Sequence, residues 1–180
     1  MIITILNLNG MLVTYTPVSV MIAKEYQIKS VFLYNFTKGF ITWPASVFAN
    51  DNETFNLCVL GEEQLTDVLN TTMQGKTSKE GRSLVINKLQ NIFAISACQI
   101  LFIDKSQQDS FPQIRQLAIR HSTLTVSDMK DFTEKGGMIE FFTVDNKLKL
   151  AINICVLEQA KIKATANLLQ LSKITRECPD

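Results

Sequence analysis

Four cysteines and one histidine carry the chemistry that is easiest to recognise in this chain of 180 residues: Cys58, Cys98, Cys155, Cys178 and His121. The sequence has no C-x-x-C and no Cys/His cluster, so a zinc site lacks its ligands; neither metal nor cofactor is expected. Four cysteines allow three full pairings, and spacing alone does not choose among them. Cys58 and Cys98 both fall in apolar runs that read as buried strands. If those strands are neighbours, a bond between them closes a loop of about 40 residues, worth roughly 3–4 kcal/mol in the chain-entropy model. The alternative is two free thiols packed as small hydrophobes. His121 stands beside Ser122 with no placed carboxylate and no G-x-S-x-G, which is no basis for a catalytic triad.

A second candidate lies where apolar strands end. Open α/β sheets bind ligands at the carboxyl ends of their strands. Gly61, Asp104 and Asp128 each follow such a run, and Lys105 adjoins the second, so a small-molecule or nucleotide pocket is one reading. The same residues also suit a turn and two helix caps. The turn itself, VLGEEQL, has one glycine and two acids, unlike a phosphate-binding loop, and no G-x-x-x-x-G-K-[ST] is present.

These positions need elements to hold them. Apolar content of 46% against 19% charged residues describes a globular chain long enough for one substantial core. A net charge of +1 with dispersed Lys and Arg leaves no electrostatic footprint for nucleic acid. Residues 1–23 contain no Lys, Arg, Asp or Glu and end in small residues, which reads as a signal peptide cut between Ser19 and Lys24. Residues 24–180 then form one exported, soluble domain with no membrane insertion after cleavage, since no later run approaches the roughly 20 apolar residues of a span.

Within that domain, strands are expected at Phe55–Leu60, Ser83–Leu89, Cys98–Ile103 and Leu124–Val126. Helices are expected at Glu62–Met73, Pro112–Arg120 and Met129–Lys135, the last capped by Ser127-Asp128. Met138–Val144 and Lys147–Ile152 flank Asp145-Asn146 as a β-hairpin, and helices follow near Val156–Lys161 and Thr165–Thr175. The fold class is therefore α/β: one domain, a mostly parallel or mixed central sheet flanked by helices, with a C-terminal hairpin and helix.

Glu25–Pro44 reads as a helix ended by Trp43-Pro44, with an inward stripe at Ile28, Val31, Phe32 and Phe36. That leaves Tyr34, Phe40 and Trp43 either packed in the core or turned toward a partner.

Several stretches together resemble the YfiR family of periplasmic proteins. They are Glu25-Tyr26 with FLYNFTK and Trp43-Pro44, LCVLG from Leu57, Gly81-Arg82, CQILFI from Cys98, LTVSD from Leu124, GGMIEF from Gly136, and KIKATANLLQLSKI from Lys161. The resemblance implies an exported protein without catalytic activity. It implies binding to the periplasmic sensor domain of an inner-membrane diguanylate cyclase, repression of cyclic di-GMP signalling and of biofilm formation, and a homodimer. It also favours a Cys58–Cys98 disulfide, since both match motif cysteines, whereas Cys155 and Cys178 match no family position. Gly39 interrupts the opening motif, and Gln99 stands where the family often has histidine.

Overall fold

The computed structural model describes residues 3–6, 12–15, 18–49, 53–61 and 63–178, with side chains from Ala23 onward except at Glu63. Parts of the expected leader, the polar turn at 50–52 and the expected helix start at Glu62 lie outside the described residues. The described pieces of the opening segment are an antiparallel pair, Ile3–Leu6 (β1) with Leu12–Tyr15 (β2), and the start of a helix at Val18.

Seven strands form the main sheet: Thr54–Leu60 (β4), Ser83–Leu89 (β5), Ile100–Ile103 (β6), Leu124–Ser127 (β7), Ile139–Val144 (β8), Lys147–Asn153 (β9) and Ser172–Thr175 (β11). Their spatial order is β11-β9-β8-β7-β6-β4-β5. Five run parallel, from β8 across to β5. β9 turns back against β8 through Asp145-Asn146, both at positive φ as a tight hairpin turn requires, and β11 lies parallel to β9 at the far edge. The expected α/β domain with a mixed sheet is thus the observed one.

Strand alternation divides the core in two. Phe55, Leu57 and Val59 of β4, with Ile100 and Phe102 of β6, face the layer built by Val18–Asn35 (α1), Glu63–Met73 (α2), Ile154–Gln159 (α4) and Ala166–Gln170 (α5). Cys58, Leu60, Leu101 and Ile103 face the opposite side, against the 3-10 turn Ile92–Ala97, the helix Phe111–His121 (α3) and Met129 and Phe132. Pro112 occupies the first turn of α3, where its missing N–H costs no hydrogen bond. A two-residue ribbon, Ile41–Thr42 (β3) with Lys163–Ala164 (β10), ties the N-terminal helix layer to the C-terminal segment.

Four sequence expectations need correction. The opening helix does not run to Pro44: α1 passes into a π-turn at Phe36–Phe40, and Gly39, at φ 108°, ends the helix. That backbone conformation suits glycine and disfavours residues with a Cβ. Met129–Lys135 is a run of turns, not a helix, because Asp131 sits at φ 59° and interrupts helical geometry. Ser127, not Asp128, caps the start of that segment by accepting the Met129 N–H at 3.1 Å. The expected helix over Thr165–Thr175 ends at Gln170; Leu171, expected in the core, is 70% exposed, and Ser172–Thr175 pairs with β9 as the edge strand β11.

Candidate functional site

The stripe of α1 that meets the sheet is rotated from the one its apolar residues suggest. Lys29, Ser30, Leu33, Phe36 and Thr37 are buried, whereas Ile28 is 38% and Val31 52% exposed. The buried polar members find partners. Ser30 Oγ donates to the Gln27 carbonyl at 2.7 Å and Thr37 Oγ1 to the Tyr34 carbonyl at 2.7 Å.

Lys29 is the unusual one, at 1% exposure. Its Nζ lies 2.6 Å from Asp128 Oδ2, at the end of β7, and 2.6 Å from Glu25 Oε1, one helical turn back. Burial works to lower the lysine's proton affinity. The hydrogen bonds and charges of Asp128 and Glu25 outweigh it, so its pKa lies above the ordinary lysine value. A buried charge persists only when it is paired in this way. Sequence reading missed Lys29 because its main partner is 99 residues away.

Gly61, Asp104 and Asp128 do end adjacent parallel strands, since Leu60 pairs with Ile103 and Ile103 with Ser127. The structure brings the first two together: a Cβ on Gly61, whose φ is +99°, would lie 2.9 Å from Asp104 Cβ and 2.9 Å from Ser106 Oγ. Asp104 accepts the Ser106 N–H at 2.9 Å and caps the 3-10 turn Lys105–Ser110. Its partial burial pushes the carboxyl up, but the bonds from Ser106 and the nearby Lys105 prevail and hold it below the ordinary value. Asp128 is engaged with Lys29 and lines a hollow of about 280 Å³ with Glu25, Lys130, Glu140 and Phe142. Glu140, also unforeseen, is buried, and its Oε2 accepts from the Thr133 N–H at 3.1 Å and Thr133 Oγ1 at 3.2 Å. Among the described residues no three His, Cys, Asp or Glu side chains assemble as a metal-ion set.

Tyr34, Phe40 and Trp43 are all half-buried and packed against the main core. The Tyr34 ring is flanked by two ammonium groups, Lys76 at 4.7 Å and Lys38 at 5.7 Å from its centre. Trp43 meets Phe55 edge-on at 5.1 Å and donates its indole N–H to the Gln99 carbonyl at 3.1 Å. Phe40 gives its carbonyl to the Thr165 N–H, extending the small ribbon.

Two disulfides close the picture. Cys58 of β4 bonds Cys98, just before β6, across a Cα separation of 5.8 Å. Cys155, in α4, bonds Cys178, beyond β11, across 5.6 Å. The second bond fixes the tail where Asn153 Nδ2 also donates to the Glu177 carbonyl at 2.7 Å.

Comparison with protein families matches residues 26–173 to the YfiR/HmsC-like family, and the chain belongs to it. Comparison with curated proteins finds no match. Among solved structures, similarity extends to an ABC domain bound to L-Trp from Streptococcus pneumonia (9% identity, TM-score 0.48, 73% of this chain and 58% of that one). A conserved domain protein from Vibrio cholerae gives 11% identity and a TM-score of 0.49 over 73% and 57% of the two chains. A ligand-free, open substrate-binding protein with adhesive properties from Clostridium difficile gives 11% identity and a TM-score of 0.45, again over 73% and 57%. The chain thus spans under two thirds of the length of each of these proteins.

Proposed function

We propose that this member of the YfiR/HmsC-like family is a periplasmic, non-catalytic repressor of an inner-membrane diguanylate cyclase. It binds the cyclase's periplasmic sensor domain, lowers cyclic di-GMP and so restrains biofilm formation. The observation that carries this reading is the family match across residues 26–173. Two disulfides among four cysteines suit an oxidising compartment, and no helix among the described residues is long and apolar enough to cross a membrane. Residues 1–23 act as the leader that delivers the chain there, and the working form is a homodimer.

Repression of this kind is differential binding. An inhibitor that binds the inactive state of the sensor more tightly than the active one shifts the equilibrium by that difference alone. The α1 region supplies the contact in this proposal, through exposed Ile28 and Val31 and the outer parts of Tyr34, Phe40 and Trp43.

The test is coexpression of the chain with a diguanylate cyclase that has a periplasmic sensor domain. Cyclic di-GMP falls, the sensor domain is captured with the chain, and Val31→Glu, on an already exposed position, weakens both while leaving the fold intact. Unchanged cyclic di-GMP together with no capture refutes the proposal.

A further inference from the structure

On the side of the molecule that carries the Cys58–Cys98 bond, a hollow of about 290 Å³ is lined by Ser46, Ser96, Gln99, Arg120, His121 and Ser122, with Val47 and Cys98 completing the wall. Three segments converge to make it: the 3-10 turn Ala45–Phe48, the link from Ile92–Ala97 into β6, and the C-terminal end of α3. Ser122 adopts φ 54° there and caps α3 with its own N–H, which turns the chain back at the rim. The lining contains Arg120 and the chain's single histidine, and no carboxylate.

Gln99 decides what this hollow would accept. The residue is 6% exposed. Its side-chain oxygen accepts the Asn56 backbone N–H at 2.7 Å. A backbone N–H can only donate, so the acceptor end of the amide is fixed there and the –NH2 is the end left over. Among the described residues that –NH2 has no hydrogen-bond partner. A donor at the wall of a polar hollow is open to an acceptor that enters it. Arg120, His121, Ser46 and Ser96 are exposed at its mouth, and Ser122 is half-buried. Arg120, His121 and the three serines are able to donate, and no carboxylate lines the hollow.

We propose that this hollow binds a small oxyanion, a phosphate or phosphomonoester group. Arg120 would grip it by charge and paired N–H groups, and the Gln99 amide would donate from the floor. Its lining includes none of the residues invoked for repression, although the Gln99 carbonyl accepts the Trp43 indole N–H, and it adjoins the Cys58–Cys98 bond through Cys98 itself.

Because His121 is the only histidine, its imidazole resonances report this hollow without ambiguity. Inorganic phosphate and glycerol phosphate are titrated separately into the intact oxidised protein, with sodium chloride at matched ionic strength as the control. Saturable movement of the His121 signals beyond the chloride control supports the proposal. Tighter binding of the ester then assigns a phosphomonoester ligand, and tighter binding of phosphate the free ion. Arg120→Ala, at an exposed position, weakens binding by roughly tenfold or more. Gln99→Glu keeps an oxygen for Asn56 but replaces the –NH2 with a second acceptor, and abolishes binding. Movement no larger than the chloride control, or wild-type binding by both variants, overturns the proposal.

Discussion

Replacing Lys29 by methionine removes the cation that pairs with Asp128 and Glu25 while nearly conserving side-chain volume. Removing one partner of a buried ion pair costs about 3–5 kcal/mol when the other is left charged in the interior. Here the orphaned carboxylates are 31% and 47% exposed, so water relieves part of that penalty. The expected loss is therefore about 2 kcal/mol. With an m-value of about 1–3 kcal/mol per molar urea, the unfolding midpoint falls by about 1 M. The pH dependence has a definite sign. Lys29 has a raised pKa in the folded protein, so its contribution is fully present below the ordinary lysine value and is lost as pH rises through the folded value. The gap between wild type and Lys29→Met should stay constant across the neutral range and close only in strong alkali. A double-mutant cycle with Asp128→Asn isolates the pair, and its coupling should exceed about 1 kcal/mol. Additive effects of the two substitutions, or a Lys29→Met protein within about 0.5 kcal/mol of wild type, would refute the assignment of Lys29 as a paired interior charge.

The two disulfides should contribute comparably despite their different spans. Separations of 40 and 23 residues correspond to about 4 and about 3.4 kcal/mol of loop-closure entropy. Cys98→Ala and Cys178→Ala, each made with its partner cysteine also changed to alanine, should therefore show similar denaturation losses; a tenfold difference in unfolding constant would contradict this. Gly61→Ala combines a positive φ with a Cβ driven onto Asp104 and Ser106. It should lose at least about 1 kcal/mol by thermal unfolding and disturb the Asp104–Ser106 cap, whereas a neutral result would mean the turn relaxes freely.

Elements whose information is local were legible before the structure. The apolar run 55–60, the Pro112 helix start and the Asp145-Asn146 hairpin each declare themselves within a few residues, and all three form as expected. Elements whose identity depends on distant partners were not. Ser172–Thr175 becomes a strand because β9 offers it an unpaired edge. The inward face of α1 was misplaced because a hydrophobic count assigns Lys29 to solvent, and only Asp128, brought up by β7, makes it an interior residue. Asp104 and Asp128 were recognised as strand-end acids. Their ties to Ser106 and Lys29 depend on which loop and which helix pass nearby, and nothing in the adjacent sequence states that. The cysteine pairing followed the same division: the bond matched by family motif was anticipated, and Cys155–Cys178, which rests on where the tail returns, was left open.

The Cys58–Cys98 ring encloses α2 and β5, yet it fastens β4 only to the region leading into β6. Among the described strands β5 pairs only with β4, at the border of the sheet, and none of its residues is fully buried. The covalent link therefore divides this end of the molecule into two tiers of protection. Amides within the β4–β6–β7 centre should be released only by global unfolding. Those of β5 can exchange through a partial opening in which the enclosed loop lifts away while its base stays closed. Oxidation thus lets the protein loosen one flank without surrendering its middle.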